Sequence, residues 1–258
     1  MKKIITTIII ILVLNLITYS NVLSIENFSA TIYVDDDGGA DYTKIQDAID
    51  NSTDGDTIVV YNGTYTENIL INKKLDIIGS GDSNIIGMDE IEDKPVVLIK
   101  EDRVTLDNFI IHGFFDGIFL YGVDDCLIIN NYIINNEIGI YLIESFGNTI
   151  SNNLISQNTK CGIMLQRCAH DYILSNDFAS NEGITIFIYA SANNEIEYNN
   201  FQNNKINAFI INSPVNYWEE NYWNRARIFP KIIFGFRAIM PWVNFDWHPA
   251  TEPYDLDI

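Results

Sequence analysis

From residue 104 onward the chain repeats itself, and this periodicity narrows the range of folds more than any other property of the sequence. One mark is Asn followed by an aromatic or aliphatic residue: Asn108-Phe109, Asn131-Tyr132, Asn153-Leu154, Asn200-Phe201 and Asn221-Tyr222, with Asp177-Phe178 standing in once. A second mark, Gly-Ile-x-Leu, runs in phase with it from Gly117, Gly139, Gly162 and Gly183, and degenerates at Asn207. Both recur roughly every 21 to 24 residues, a period that belongs to solenoids. Between the Asn, Ser, Gly and Asp residues of one period there is room only for β-rich stretches of about 3 to 5 residues, too short for a helix. Each period therefore reads as one coil of strands, with successive coils in parallel about 4.8 Å apart.

Stacking coils puts like on like. Ile118, Ile140, Ile163, Ile184 and Ala208 form one column, and Leu120, Leu142, Leu165, Ile186 and Ile210 form the next, two residues on and so on the same inward face. Between and beyond them, pointing out, run Phe119, Tyr141, Met164, Thr185 and Phe209, then Tyr121, Ile143, Gln166, Phe187 and Ile211. An outward stripe of this kind marks a contact surface. It is to be covered by the C-terminal segment or a second copy, or else left open as a stacking platform for sugar rings. The Asn column, Asn108, Asn131, Asn153 and Asn200 with Asp177 interrupting, reads as structural, because Asn tolerates left-handed backbone and its amide can bond to the coils above and below.

The ends differ from the middle. Lys2 and Lys3 precede an apolar run from Ile4 to Ile17, followed by Thr18 and Ser20, which is the order of a secretory signal over residues 1–20 with Ser24 as another cleavage mark. At about 14 residues the run is short for a bilayer span, so membrane contact is expected only through this signal, or through an uncleaved anchor. Asn27, Asn51 and Asn62 each begin an N-x-S/T triplet, a glycosylation acceptor in a host that glycosylates. In residues 31–57, Thr43 with Gln46 reads as a capping box, and Ile45, Ala48 and Ile49 lie on one face of a short helix able to plug the open coil stack. Residues 58–222 hold the coils. Residues 223–258, with Trp218 just ahead and Trp223, Trp242 and Trp247 inside, read as a cap whose rings cover the last coil, or as a Trp-lined sugar site that the same aromatics would serve.

Charge excludes one class of partner. Lys+Arg total 15 against Asp+Glu 35, a net charge of −20, whereas nucleic acid demands a basic surface. Three Cys in 258 residues make neither a disulfide framework nor a paired zinc motif.

The repeat, together with Ile32 to Ile49, Gly55 to Val60, Asn62-Gly63-Thr64-Tyr65 and Leu75 to Gly79, resembles the right-handed parallel β-helix proteins of the pectin-lyase-like fold, specifically their NosD-type repeats. The resemblance implies an all-β solenoid of about 7 or 8 coils with a short N-terminal helical cap and a Trp-rich C-terminal cap. It also implies a secreted or cell-surface location, with polysaccharide or a cell-envelope component as partner. It does not specify an activity.

Enzymes of this fold cut polysaccharides with carboxylates or bases converging from neighbouring coils. Aligned on the Gly of the second mark, the preceding column reads Asp116, Ile138, Cys161, Glu182 and Ile206, which leaves its acids three coils apart, too far for a glycosidase pair. Asp124 and Asp125 stack on Phe146, Gly147, Ala169 and His170, so no acidic cluster builds there. His112 falls in a polar column with Asn135, Gln157, Asn181 and Asn204. Glu144 and Arg167 should pair between coils, as a surface ion pair or, failing that, as a site for a catalytic Arg167. The family's association with copper directs attention to Cys168, His170 and Met164, but Met164 and Cys168 lie over about 12 Å apart along a strand and Cys126 is two coils away. No metal or cofactor site is therefore expected. The sequence supports a non-catalytic module that binds carbohydrate or packs into an envelope layer through Phe119, Tyr121, Tyr141, Met164, Phe187 and Phe209. A polysaccharide lyase or glycoside hydrolase is the alternative, and a second copy is the remaining candidate partner.

Overall fold

The computed structural model describes residues 29–88, 94–113 and 115–256; the secretory signal expected over residues 1–20 lies outside them. Strands stack in parallel along three faces of a right-handed solenoid of about nine turns. The first face runs from Thr31–Val34 through Thr57–Thr66 and Leu127–Ile129 to Tyr217–Glu219. The second includes Ile110–His112, Tyr132–Ile134 and Asn200–Gln202, and the third Ile118–Tyr121, Ile138–Ile143, Cys161–Gln166 and Ile206–Ile211. The sequence reading counted 7 or 8 coils because the first turns, between Thr31 and Ile99, carry neither the Asn nor the Gly mark. No helix among the described residues is long and apolar enough to cross a membrane.

The core is a set of aliphatic columns, in which Ile118, Ile140, Ile163, Ile186 and Ala208 stack, as do Leu120, Leu142, Leu165, Ile188 and Ile210. One coil departs from the expected register. Ile184 pairs with Cys161, so Gly183 starts two residues early, and Thr185, not an outward residue, is buried. Glycine is required where the coils approach most closely. A Cβ on Gly117, Gly139 or Gly162 would lie 2.6–2.7 Å from the carbonyl oxygen of Gly139, Gly162 or Thr185 on the next coil. Gly183 is glycine for a different contact, its Cβ position being blocked by the Lys160 carbonyl.

The Asn column divides into two. Asn108, Asn130 and Asn152 take φ of 55–62° at a corner, and the same corner is turned by Ser175, Tyr198 and Glu220 on later coils. The next residue points inward and forms the ladder: Asn131, Asn153, Asn176, Asn199 and Asn221, all buried. Asp177 and Asn200 are not rungs, as the sequence suggested, but strand residues in register with Leu154. The left-handed corner turns the following backbone N–H away from the strand ladder, and the amide of the next coil accepts it. Asn131 N donates to Asn153 Oδ1 at 2.9 Å, Asn153 N to Asn176 Oδ1 at 3.0 Å and Asn199 N to Asn221 Oδ1 at 3.1 Å. Each Nδ2 reaches back to the preceding coil, as from Asn153 to Ile128 O at 2.9 Å, so one side chain satisfies groups on three coils. Shorter ladders follow the other corners, among them Asn136–Asn158–Asn181–Asn204 and Asn148–Asp171–Asn194–Asn216.

The helix Ile45–Asn51 buries Ile45, Ala48 and Ile49 as expected, but Thr43 and Gln46 do not cap it. Lys44 is the N-cap, and the first-turn donors Ile45 N and Gln46 N bond to Glu67 Oε1 and Oε2, both at 3.0 Å. A carboxylate on a neighbouring coil therefore does the work of a local cap. Glu67→Ala should lower stability by about 1–2 kcal/mol, read as a shift of the urea midpoint.

At the other end, Trp218 and Trp223 occupy inward columns, and Trp223 stacks on Phe201 at 4.3 Å and 4°. Trp242 and Trp247 stand outside, so only part of the Trp set covers the last coil. Beyond that coil an antiparallel hairpin, Lys231–Arg237 with Met240–Asp246, continues the third face through Ile210↔Gly235. Only glycine fits at 235, because a Cβ would meet Ile210 O at 1.9 Å.

Candidate functional site

The proposed contact residues sort into two outward columns on the third face. Phe119, Tyr141, Met164, Phe187 and Phe209 share the first; Tyr121 lies in the second with Ile143, Gln166, Tyr189 and Ile211. Phe187 thus moves from the second column into the first, in the place assigned to Thr185. Phe119 and Tyr141 stack at 5.1 Å and 20°, and Phe187 and Phe209 at 6.4 Å and 26°. Rings stacked along the solenoid axis turn their edges, not their faces, to solvent. That suits apolar contact better than a sugar platform, which needs an open ring face. The C-terminal tail does not cover this stripe. It crosses the second face, where Tyr254 N donates to Asn200 Oδ1 and Ala250 N to Asn221 O.

The ring faces lie elsewhere. Between the last coil and the hairpin is a cleft of about 380 Å³ lined by Tyr217, Trp218, Glu219, Trp242, Trp247 and His248, among others. Trp247 is 62% exposed and stacks on Phe245 at 4.8 Å, which leaves one face of the indole free. Glu219 bonds His248 Nδ1 at 2.9 Å, and in the cleft wall Trp218 Nε1 and Asn244 Oδ1 are buried without hydrogen-bond partners. Glu219 is also in register with Glu197 on the coil before, and Glu195 lies on the same outward side. Partial burial, then Glu195, Glu219 and Asp246, raise the carboxyl pKa of Glu197. Sequence reading missed this group because it followed the acids of the third face, although Glu197 and Glu219 stand one repeat apart.

The remaining candidates do not converge. Glu144 and Arg167 pair at 2.7 Å, both half-exposed, as the register required. Phe146 and then Ala169 follow Asp124 on the later coils, while Asp102 on the coil before accepts Asp124 N at 2.8 Å, so the acids there end as a pair. His112 pairs with Ile86 on a strand and so leaves the corner column assigned to it. Glu182 likewise leaves the Asp116 column, because Ile184 takes its place. Asp116 is pushed up to about 6 by burial and then by Glu137, which is itself paired with Lys160.

A family model described as "Periplasmic copper-binding protein (NosD)" matches residues 49–229. The chain belongs to the NosD family. A cell surface glycoprotein of Methanothermus fervidus is 34% identical over 156 residues, 47% of this chain and 26% of that protein. The chain thus spans about a quarter of that relative's length. Among solved structures, a pectin methylesterase in complex with a hexasaccharide gives a TM-score of 0.51 at 12% identity, over 86% of this chain and 93% of that one. A mutant of pectin methylesterase with another hexasaccharide gives 0.53 at 11% over the same shares. These two likenesses show the fold alone.

Copper, the metal in the NosD description, finds no matching donor set among the described residues. Cys126, Cys161 and Cys168 are buried, and burial pushes their thiols up to about 11, about 12 and about 12, so they remain protonated and poor ligands. Met164 faces out on the third face and His170 sits exposed on a left-handed corner. Among the described residues no group of His, Cys, Asp and Glu is placed to hold an ion.

Proposed function

We propose that this NosD-family chain is a non-catalytic cell-surface module that holds carbohydrate in the cleft between its last coil and the C-terminal hairpin. The observation that carries the reading is the free face of Trp247 set beside Glu219 and His248. It offers an apolar plane for a sugar ring with polar hydrogen-bonding groups at its edge. The relative named as a cell surface glycoprotein supports the location. The Phe119–Phe209 stripe is then the side that packs against an envelope neighbour or a second copy.

The placement of the acids supports non-catalytic use. Glu197 and Glu219 rise from the same strand face, while Trp242, Phe245 and Trp247 on the opposite wall bring no carboxylate. Asp246 is turned inward and buried. A glycosidic bond needs acids flanking it. One observation favours a second reading, hydrolysis, because Glu197 and Glu219 stand one coil apart, close to the spacing of a retaining pair.

Retention on immobilised neutral and acidic polysaccharides, with new reducing ends counted in the same samples, separates the two. The expected result is retention without cleavage, weakened about tenfold by Trp247→Ala. Reducing ends that vanish in Glu219→Gln, without the ultraviolet absorbance of an unsaturated sugar, would establish hydrolysis instead. Retention on no glycan, or retention indifferent to Trp247→Ala, would remove the cleft from the reading.

A further inference from the structure

Between Tyr222 and Phe245 the chain carries Arg225, Arg227, Lys231 and Arg237 and no acidic residue, in a protein of net charge −20. The same stretch holds some of the most exposed apolar side chains: Ile239 is 93% exposed, Met240 67% and Phe234 60%. Ala238 and Ile239 form the turn of the terminal hairpin, where polar residues are the norm, and Met240 opens its second strand opposite Arg237. The turn is held in place rather than loose, since Ala238 N donates to Asn212 Oδ1 at 2.6 Å and the Arg237 guanidinium lies 5.7 Å from the Trp242 ring centroid. Pro241, next in the outer strand, discourages pairing with another strand edge.

We propose that the hairpin tip Arg237–Trp242 docks on an anionic lipid bilayer, with Ile239 and Met240 entering the acyl boundary, Trp242 at the interface and Arg237 facing the headgroups. Charge selects this occupant. The tip combines exposed apolar side chains with Arg237, on a hairpin that carries no acidic residue before Asp246 at its base, which complements a surface that is both anionic and oily; Arg225, Arg227 and Lys231 lie toward that base. The acidic N-terminal end of a second copy, with Asp35, Asp36, Asp37 and Asp41, offers charge but little apolar surface to receive Ile239 and Met240.

The test uses the full chain carrying Met240→Cys and an environment-sensitive fluorophore. The native thiols are buried, so the label goes to position 240. A second labelled chain, Asp47→Cys, places the probe on the exposed face of the helix at the opposite end and reports entry through the N-terminal segment. With phosphatidylglycerol mixed into phosphatidylcholine vesicles, the probe at 240 should brighten and shift to the blue, while pure phosphatidylcholine and the probe at 47 give no change. Ile239→Asp should weaken the response at least about tenfold and Arg237→Gln about fivefold, and added salt should weaken it further. An unchanged thermal melt shows that neither variant disturbs the fold. A silent probe at 240, an equal response at 47, or a response without vesicles that grows with protein concentration would each overturn the proposal, the last by making the tip a protein contact.

Discussion

Asp171→Asn is expected to stabilise the protein by up to roughly 4 kcal/mol at about pH 8 and by almost nothing near pH 3. Asp171 is a rung of the Asn148–Asn194–Asn216 ladder, fully buried. Its Oδ1 accepts Asn148 N and Nδ2 at 2.9 and 3.0 Å, while Oδ2 is buried with no partner. In the neighbouring rungs that second position is an Nδ2, as in Asn194, which donates to Asn216 Oδ1 at 2.8 Å. A protonated Oδ2 can play this part and an ionised one cannot. Burial above all pushes the carboxyl from 3.8 to about 7, against the bonds from Asn148 that favour its charge. The unfolded chain releases the proton near 3.8 and the folded one near 7, so the folded state binds more protons between those values. Stability therefore falls as the pH rises through the window and is free of the penalty below it. Asn removes the penalty and supplies the donor. Urea melts of both chains across this range measure the difference, and a gain that does not vary with pH would refute the account.

Asp246→Ala should cost about 3–5 kcal/mol, the largest loss expected from a single substitution at the C-terminal end. Asp246 closes the long Asn ladder. Its Oδ2 accepts Asn221 N at 3.1 Å, Asn221 Nδ2 at 3.3 Å and Trp223 Nε1 at 2.8 Å, and Oδ1 accepts His248 N at 3.2 Å. Asn221 Nδ2 keeps its bonds to Ile196 O and Glu219 O when the carboxylate is removed, whereas Asn221 N and Trp223 Nε1 are left buried and unpaired. Denaturant melts followed by Trp fluorescence read the loss. Asp246→Asn, which keeps one acceptor oxygen, should fall between the two chains. A cost under about 1 kcal/mol for Asp246→Ala would show that the ladder does not need a terminator.

The coil architecture was legible because burial imposes one residue type on a whole column, and Ile or Leu at a two-residue interval on successive periods admits little else. Register was less legible where two neighbouring positions want the same residue. Asn130 and Asn131 are both Asn, one for a left-handed corner and one for the ladder, so a reading aligned on the doublet drifts by one when Asn176 stands alone. Gly183 misled for a similar reason, being excluded from carrying a Cβ by a different carbonyl from the one that constrains Gly162. The helix cap at Glu67 and the ladder end at Asp246 lie 22 and 25 residues from the groups they serve, beyond any local motif. The Trp residues of the cleft are legible as a sugar site in the sequence, but its walls are not, because one comes from the repeat and the other from a hairpin that breaks it.

The long ladder has a direction. From Phe109 N to Asn131, and on to Asn221 N and Asp246, every rung's backbone donor looks forward to a side chain not yet reached along the chain. A coil is therefore incomplete until its successor arrives, and the unmet donor passes down the solenoid as each coil is added. Asp246 ends this series by accepting from Asn221 and Trp223 with a side chain that, unlike the Asn rungs before it, carries no donor of its own to satisfy. The carboxylate acts as a stop signal for assembly, and since each intervening coil takes one donor and offers another, the number of coils is free to change without altering either end.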